Sequence, residues 1–105
     1  MTTVLHPDNV FAALADATRR DIVLRAIGGH EGIVELAGHY PMSFAAVQKH
    51  VAVLERAGVV TKRRCGREQL VSGNVHAIRR AAHLLDEVEE LWRGRIDRID
   101  RMLTD

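Results

Sequence analysis

From Asp8 onward, apolar residues recur at intervals of three and four, the period of helices packed on one side. Val10, Phe11 and Leu14 share one face of the stretch from Asp8 to Ala15, which predicts a short helix. Asp16 then reads as an N-cap, because its carboxylate can accept from the free backbone N–H groups of the following turn. The next helix is expected from about Ala17 to Ile27, burying Ile22, Val23, Ala26 and Ile27 and stopping at Gly28-Gly29. A third, from about Ile33 to His39, carries Val34, Leu36 and Ala37, and Pro41 blocks its continuation. Ser43 predicts the cap of a fourth helix, in which Val47, Val51, Leu54 and Ala57 keep the helical period and Gly58 ends it. Its exposed face is Gln48, Lys49, His50, Glu55 and Arg56.

Here the period changes to two. Val59 to Lys62 favour a strand, Cys65-Gly66-Arg67 a turn, and Gln69, Leu70 and Val71 a returning strand. Asn74 can cap a last helix that stays periodic to about Leu103. With Ile78 at position a of a heptad, the a positions are Ile78, Leu85, Trp92 and Ile99, and the d positions are Ala81, Val88, Arg95 and Met102. Arg95 breaks that seam, but Ile96 and Leu103 extend the stripe as the helical period drifts. Such a helix reaches roughly 45 Å, longer than a domain of this size. It cannot bury its whole stripe on its own chain, so a second copy is the expected partner, with Val10 and Phe11 of the first helix helping.

Composition sharpens this picture in two places. At 105 residues and 47% apolar the chain fits a single domain with a thin core, which pairing would relieve. The division expected is a core over residues 8–73 and a dimerisation helix over 74–104, with residues 4–15 contributing. The net charge of +1 is unevenly spread. Residues 1–40 hold three basic and five acidic side chains, residues 41–72 six and two, and residues 73–105 six and seven. A middle third at +4 in a nearly neutral chain marks a surface for a polyanion. No apolar run approaches a bilayer span and the amino terminus lacks a signal pattern, so a cytoplasmic protein without membrane contact is expected.

Short helices, a tight turn before an amphipathic helix, and then a basic hairpin describe a winged helix-turn-helix: mainly α with a small β-hairpin. In that arrangement the second helix of the pair enters the major groove and its amino-terminal residues meet base edges. The wing reaches the neighbouring backbone or minor groove, where arginine suits phosphate. The candidate DNA contacts are therefore Ser43, Phe44, Ala45, Gln48, Lys49 and His50 on the helix, and Arg63, Arg64 and Arg67 on the wing. Thr18 and Arg19 join them, since the amino terminus of the second helix favours phosphate. Gln48 suits a bidentate pair with adenine, and Phe44 a thymine methyl. The simpler alternatives are a solvated wing tip, a wet helix face, and a half-buried His50 bonded to a neighbouring group. Arg20 reads equally well as a salt-bridge partner of nearby acids.

The tracts "FAALADATRRDIV", "VELAGHYPMS", "AVQKHVAVLERAGVV" and "RRCGR" resemble the ArsR-type winged-helix repressors over about residues 9–75. The resemblance is greatest to small members without an obvious metal site. It implies a dimeric repressor that binds an inverted repeat in a promoter, often its own, with the final helix joining two copies. Three positions depart from the family pattern. Ala17 stands where relatives often have proline, Phe44-Ala45 where they have a polar residue and proline, and Gln48 where they have serine. The last two changes lie at base-reading positions, so no relative's operator can be transferred.

Metal sensing is the rival within the family. Some relatives bind zinc with Asp-x-His, ten residues, then His-x-x-Glu; here the frame reads Asn74-x-His76, ten residues, then Glu87-x-x-Glu90. Two of the four ligand types are replaced, and an amide is a poor zinc ligand. His76, His83 and Glu90 fall at heptad position f, farthest from the seam. No metal and no cofactor is expected. Cys65 among arginines raises redox sensing, but one thiol per chain would need an intermolecular partner, and a passive hairpin cysteine is simpler. A winged helix used only for protein contacts would not need the basic middle third. No Gly-rich phosphate loop, nucleophile motif or paired-carboxylate pocket points to an enzyme, and the acids of "DEVEE" read as one exposed helix face.

Overall fold

The computed structural model describes residues 7–28 and 31–104. Helix α1 spans Pro7–Leu14, α2 Ala17–Gly28, α3 Ile33–Ala37 and α4 Phe44–Arg56; strands β1 and β2 span Val60–Cys65 and Glu68–Gly73, and α5 spans Val75–Thr104. The expected contribution of residues 4–6, and Gly29 as a stop, lie outside the described residues. Among those described, no helix is long and apolar enough to cross a membrane.

Each boundary has a local cause. Asp16 Oδ1 accepts from the Arg19 backbone N–H at 3.0 Å, which starts α2. Ser43 accepts from Ala46 N at 3.1 Å and starts α4. The end of α4 is a Schellman motif: Gly58 takes φ 78°, its N–H reaches Glu55 O at 3.0 Å, and Val59 N reaches Leu54 O at 3.0 Å. Leu54 and Val59, both fully buried, supply the apolar contact that goes with it. Asn74 Oδ1 accepts from His76 N while its Nδ2 donates to Gly58 O, so the start of α5 is pinned to the end of α4.

The hairpin turn is narrower than expected. Cys65 is still paired, opposite Glu68, and only Gly66-Arg67 turn. Gly66 has φ 63° and, among the described residues, no non-glycine residue has positive φ, the pattern of a type II′ turn. A single bridge from Gly32 to Leu70 adds the approach to α3 as a short third edge.

Among the described residues the core is wholly apolar, centred on Ile22, Leu36, Val47, Val51, Leu54, Val59, Val60 and Val71. Two expectations need correction. Ile27 is 67% exposed, because it stands at the edge of the inward face formed by Ile22, Val23 and Ala26, against Gly73 of β2, which has no side chain to cover it. Helix α3 ends at Ala37, not His39, and its buried residues are Ile33 and Leu36 while Val34 faces solvent. A helix of barely more than one turn has room for only one buried pair.

Candidate nucleic-acid interface

Helix α4 sorts its residues cleanly. Val47, Val51 and Leu54 are buried, and Ala45, Gln48 and Lys49 are exposed at its amino-terminal end. Phe44 is 42% exposed, a large apolar ring held partly in water at the first helical position. Ser43 is exposed too, with its hydroxyl committed to the cap. Of the face read from the sequence, His50 and Glu55 are half-buried.

The wing stands beside this helix and is tied to it. Lys62 Nζ lies 3.4 Å from Glu55 Oε1 of α4. Residues of a strand alternate between faces, so Lys62 and Arg64 share the face of buried Val60 and Val71. Arg63 lies on the opposite face, paired with Leu70, and Arg67 sits in the turn. All three arginines are exposed. The "RR" of the sequence therefore does not form one patch: strand geometry sends its members to opposite sides.

The start of α2 is arranged differently. Thr18 is half-buried. The Arg19 guanidinium donates through Nε to Ala13 O at 2.6 Å and through a terminal nitrogen to Ala12 O at 3.3 Å. Its other terminal nitrogen lies 3.3 Å from His50 Nδ1. Arg20 reaches Leu14 O at 2.9 Å, so its donor goes to a carbonyl. The hydrogen bond from the Arg19 backbone holds the Asp16 carboxyl below the usual carboxylate range.

A cluster that sequence reasoning missed braces the turn before α4. Tyr40 donates to Asp21 Oδ2 at 2.7 Å, Arg25 Nε donates to the same oxygen at 3.0 Å, and the Arg25 guanidinium lies 5.9 Å from the Tyr40 ring centre. Burial, with the hydrogen bond to Asp21 behind it, pushes the Tyr40 hydroxyl up to about 12. The Tyr40 hydrogen bond and then Arg25 lower Asp21.

Helix α5 begins against its own domain and then leaves it. Ala77 and Ala81 are buried, Ile78 and Phe11 are half-buried against the core, and Val10 is already fully buried within its own chain. Beyond them Leu85, Val88, Trp92, Ile96 and Ile99 are exposed. Asn74 is occupied as a cap and His83 is 3.0 Å from Glu87 one turn on. Among the described residues no group of three or more His, Cys, Asp or Glu is placed to hold a metal ion.

No family model matches the chain. The HTH-type transcriptional regulator Rv2034 of Mycobacterium tuberculosis is 44% identical over 66 residues, 63% of this chain. The chain spans 62% of that relative's length. A solved ArsR family transcriptional regulator shares 30% identity over 82% of this chain and 89% of its own, at a TM-score of 0.76. The chain belongs to the ArsR family of transcriptional regulators. An ArsR-like regulator from Rhodococcus superposes at a TM-score of 0.82 over 91% of both chains, with 28% identity. A homodimeric winged helix-turn-helix DNA-binding domain from Mycobacterium bovis shares the fold at a TM-score of 0.64 and 23% identity, covering 79% of this chain and 78% of its own. The fold is that of a winged helix-turn-helix domain, with the two-stranded hairpin of β1 and β2, and the long last helix predicted from the sequence is present as α5.

Proposed function

We propose that this ArsR-family chain is a dimeric, sequence-specific regulator of double-stranded DNA, acting in the cytoplasm as a repressor on an inverted-repeat operator. The observation that carries this reading is the amino-terminal face of α4. Phe44, Ala45, Gln48 and Lys49 stand in solvent on a helix whose opposite face is the core, with a basic wing beside it. A helix held by one face and open at its first turns is suited to the major groove. Gln48 and Lys49 read bases, Phe44 meets a thymine methyl, and Arg64 and Arg67 hold phosphates. Residues 8–73 form the DNA-binding core, and residues 74–104 join two copies. The chain catalyses no reaction in this reading.

Selection of bound duplexes from a random pool, followed by gel shifts at two salt concentrations, tests it. An inverted repeat should emerge, and Gln48→Ala should weaken binding by about 1–3 kcal/mol and relax preference at one base position. A pool with no enriched sequence would remove the DNA-reading function; an unchanged preference in the variant would remove Gln48 from the interface.

A further inference from the structure

Arg19 and Arg67 look alike in the sequence, but their surroundings separate them. Arg67 is exposed on the wing turn. Arg19 is half-buried, and its guanidinium is directed inward onto two carbonyls from the last turn of α1 and one ring nitrogen of α4. A helix leaves its last four oxygens unbonded within itself. The Ala12 carbonyl takes the Ala15 N–H at 3.3 Å just past α1, and Arg19 Nε reaches the Ala13 carbonyl. A cation there is also favoured by the helix dipole. Arg19 thus caps α1 with one edge of its planar fork while the other edge reaches His50. A guanidinium has no acceptor, so the contact to Nδ1 requires that nitrogen to accept. His50 is half-buried and is the residue next to Lys49 and two from Gln48. Helix α1 packs against α5 as well as α4. The contacts therefore run from α5 through α1 and Arg19 to His50 on the base-reading helix.

We propose that Arg19 and His50 are positioning residues, which set the orientation of α4 relative to the α1–α5 scaffold, and that neither contacts DNA. The inference rests on the DNA-binding reading above and deepens it. Groups that read bases must be held to within about 0.5 Å and 10–20°, and the contacts behind them do the holding. Freed from Arg19, α4 keeps its apolar packing but loses the polar tie beside Gln48 and Lys49. Binding to a preferred sequence then suffers, while attraction to phosphate in general does not.

The test uses the selected operator and a random duplex, each titrated with the full-length protein over a range of salt. Arg19→Lys keeps the charge but cannot span two carbonyls and a ring. It should bind the operator at least about tenfold more weakly, the loss expected for charge-assisted hydrogen bonds, with the random duplex bound as by the parent. Arg19→Ala should show the same loss with an unchanged slope of log affinity against log salt. A phosphate contact gives the opposite pattern: Arg19→Ala lowers the slope by about 0.9 and weakens both duplexes, and Arg19→Lys restores them. That result would overturn the proposal. If the Arg19 variants do not fold, the His50 pair decides. His50→Asn offers an oxygen near the position of Nδ1 and should retain operator binding, whereas His50→Leu should lose it. Parental affinity in His50→Leu also sinks the idea. A parent protein that selects no operator refutes the DNA-binding reading instead, so the two failures are distinguishable.

Discussion

At Tyr40 one hydroxyl joins the turn before α4 to α2, by donating to an Asp21 oxygen that also receives Arg25. Half of this cluster is legible in the sequence, since Asp21 and Arg25 are four apart on a helix and such pairs meet. The other half is not, because Tyr40 comes from 19 positions away and only folding brings it there. The chain has a single tyrosine, so tyrosinate absorbance reports this site alone. In the folded protein it should titrate near 12, against about 10 when unfolded. A folded-state value above the unfolded one means stability that is complete below about pH 10 and declines as pH rises toward 12. Asp21→Asn should bring the midpoint down part of the way, because burial, the larger cause, remains. A midpoint near 10 in the folded parent would show that the hydroxyl is free.

At the scale of elements, α4 was readable because its signals are local and agree with one another. A serine cap, an apolar period of three and four, and a glycine stop all concern residues within a turn of each other. The hairpin was readable for the same reason, through its change of period and Gly66. Its consequence for the arginines followed only from the register that pairs Arg63 with Leu70 and Arg64 with Gln69. Arg64 lies on the face that meets α4, so neutralising Arg64 or Arg67 should flatten the salt dependence of DNA binding by about 0.9 each, and Arg63→Ala by less. Binding titrated across salt concentrations checks this. Equal slopes in the parent, Arg64→Ala and Arg67→Ala would take the wing off the duplex.

The whole molecule is governed by α5. The radius of gyration is 18.3 Å, against about 13 Å for a compact chain of this length, and the longest extent is 69 Å. One long helix standing off the core accounts for both. Its face from Leu85 to Ile99 is exposed, with Trp92 at 60%, an apolar strip of a kind that soluble monomers seldom keep in water. A second copy about a twofold axis would cover it and set two α4 helices toward one side of a duplex, at the spacing of successive major grooves, about 34–36 Å. Lysine at both Leu85 and Val88 should therefore give a monomer or an unstable protein that loses operator binding, although neither residue lies on α4 or the wing. Sedimentation at micromolar concentration measures this directly. A monomeric parent, or full operator affinity in the double variant, would defeat the twofold arrangement.

Two kinds of information divide along these scales. The amino-acid sequence by itself left open the end of α3 and the width of the hairpin turn. It determined the order and type of the helices and strands, which face of α4 is apolar, and that α5 carries more stripe than one chain can cover. These depend on backbone periodicity and capping, which act between residues a few positions apart. Tertiary structure decided what each polar group is used for. Arg19 and Arg64 are the same residue type, each followed or preceded by another arginine, and local pattern assigns one to a helix start and the other to a hairpin without giving either a partner. One meets the open end of a helix and a histidine 31 positions away, and the other stands in solvent at a strand's outer end. The fate of Ile27 differed for the same reason: a helix face is buried only as far as its neighbour's side chains cover it, and the residue that arrives beside Ile27 from a distant part of the chain is Gly73.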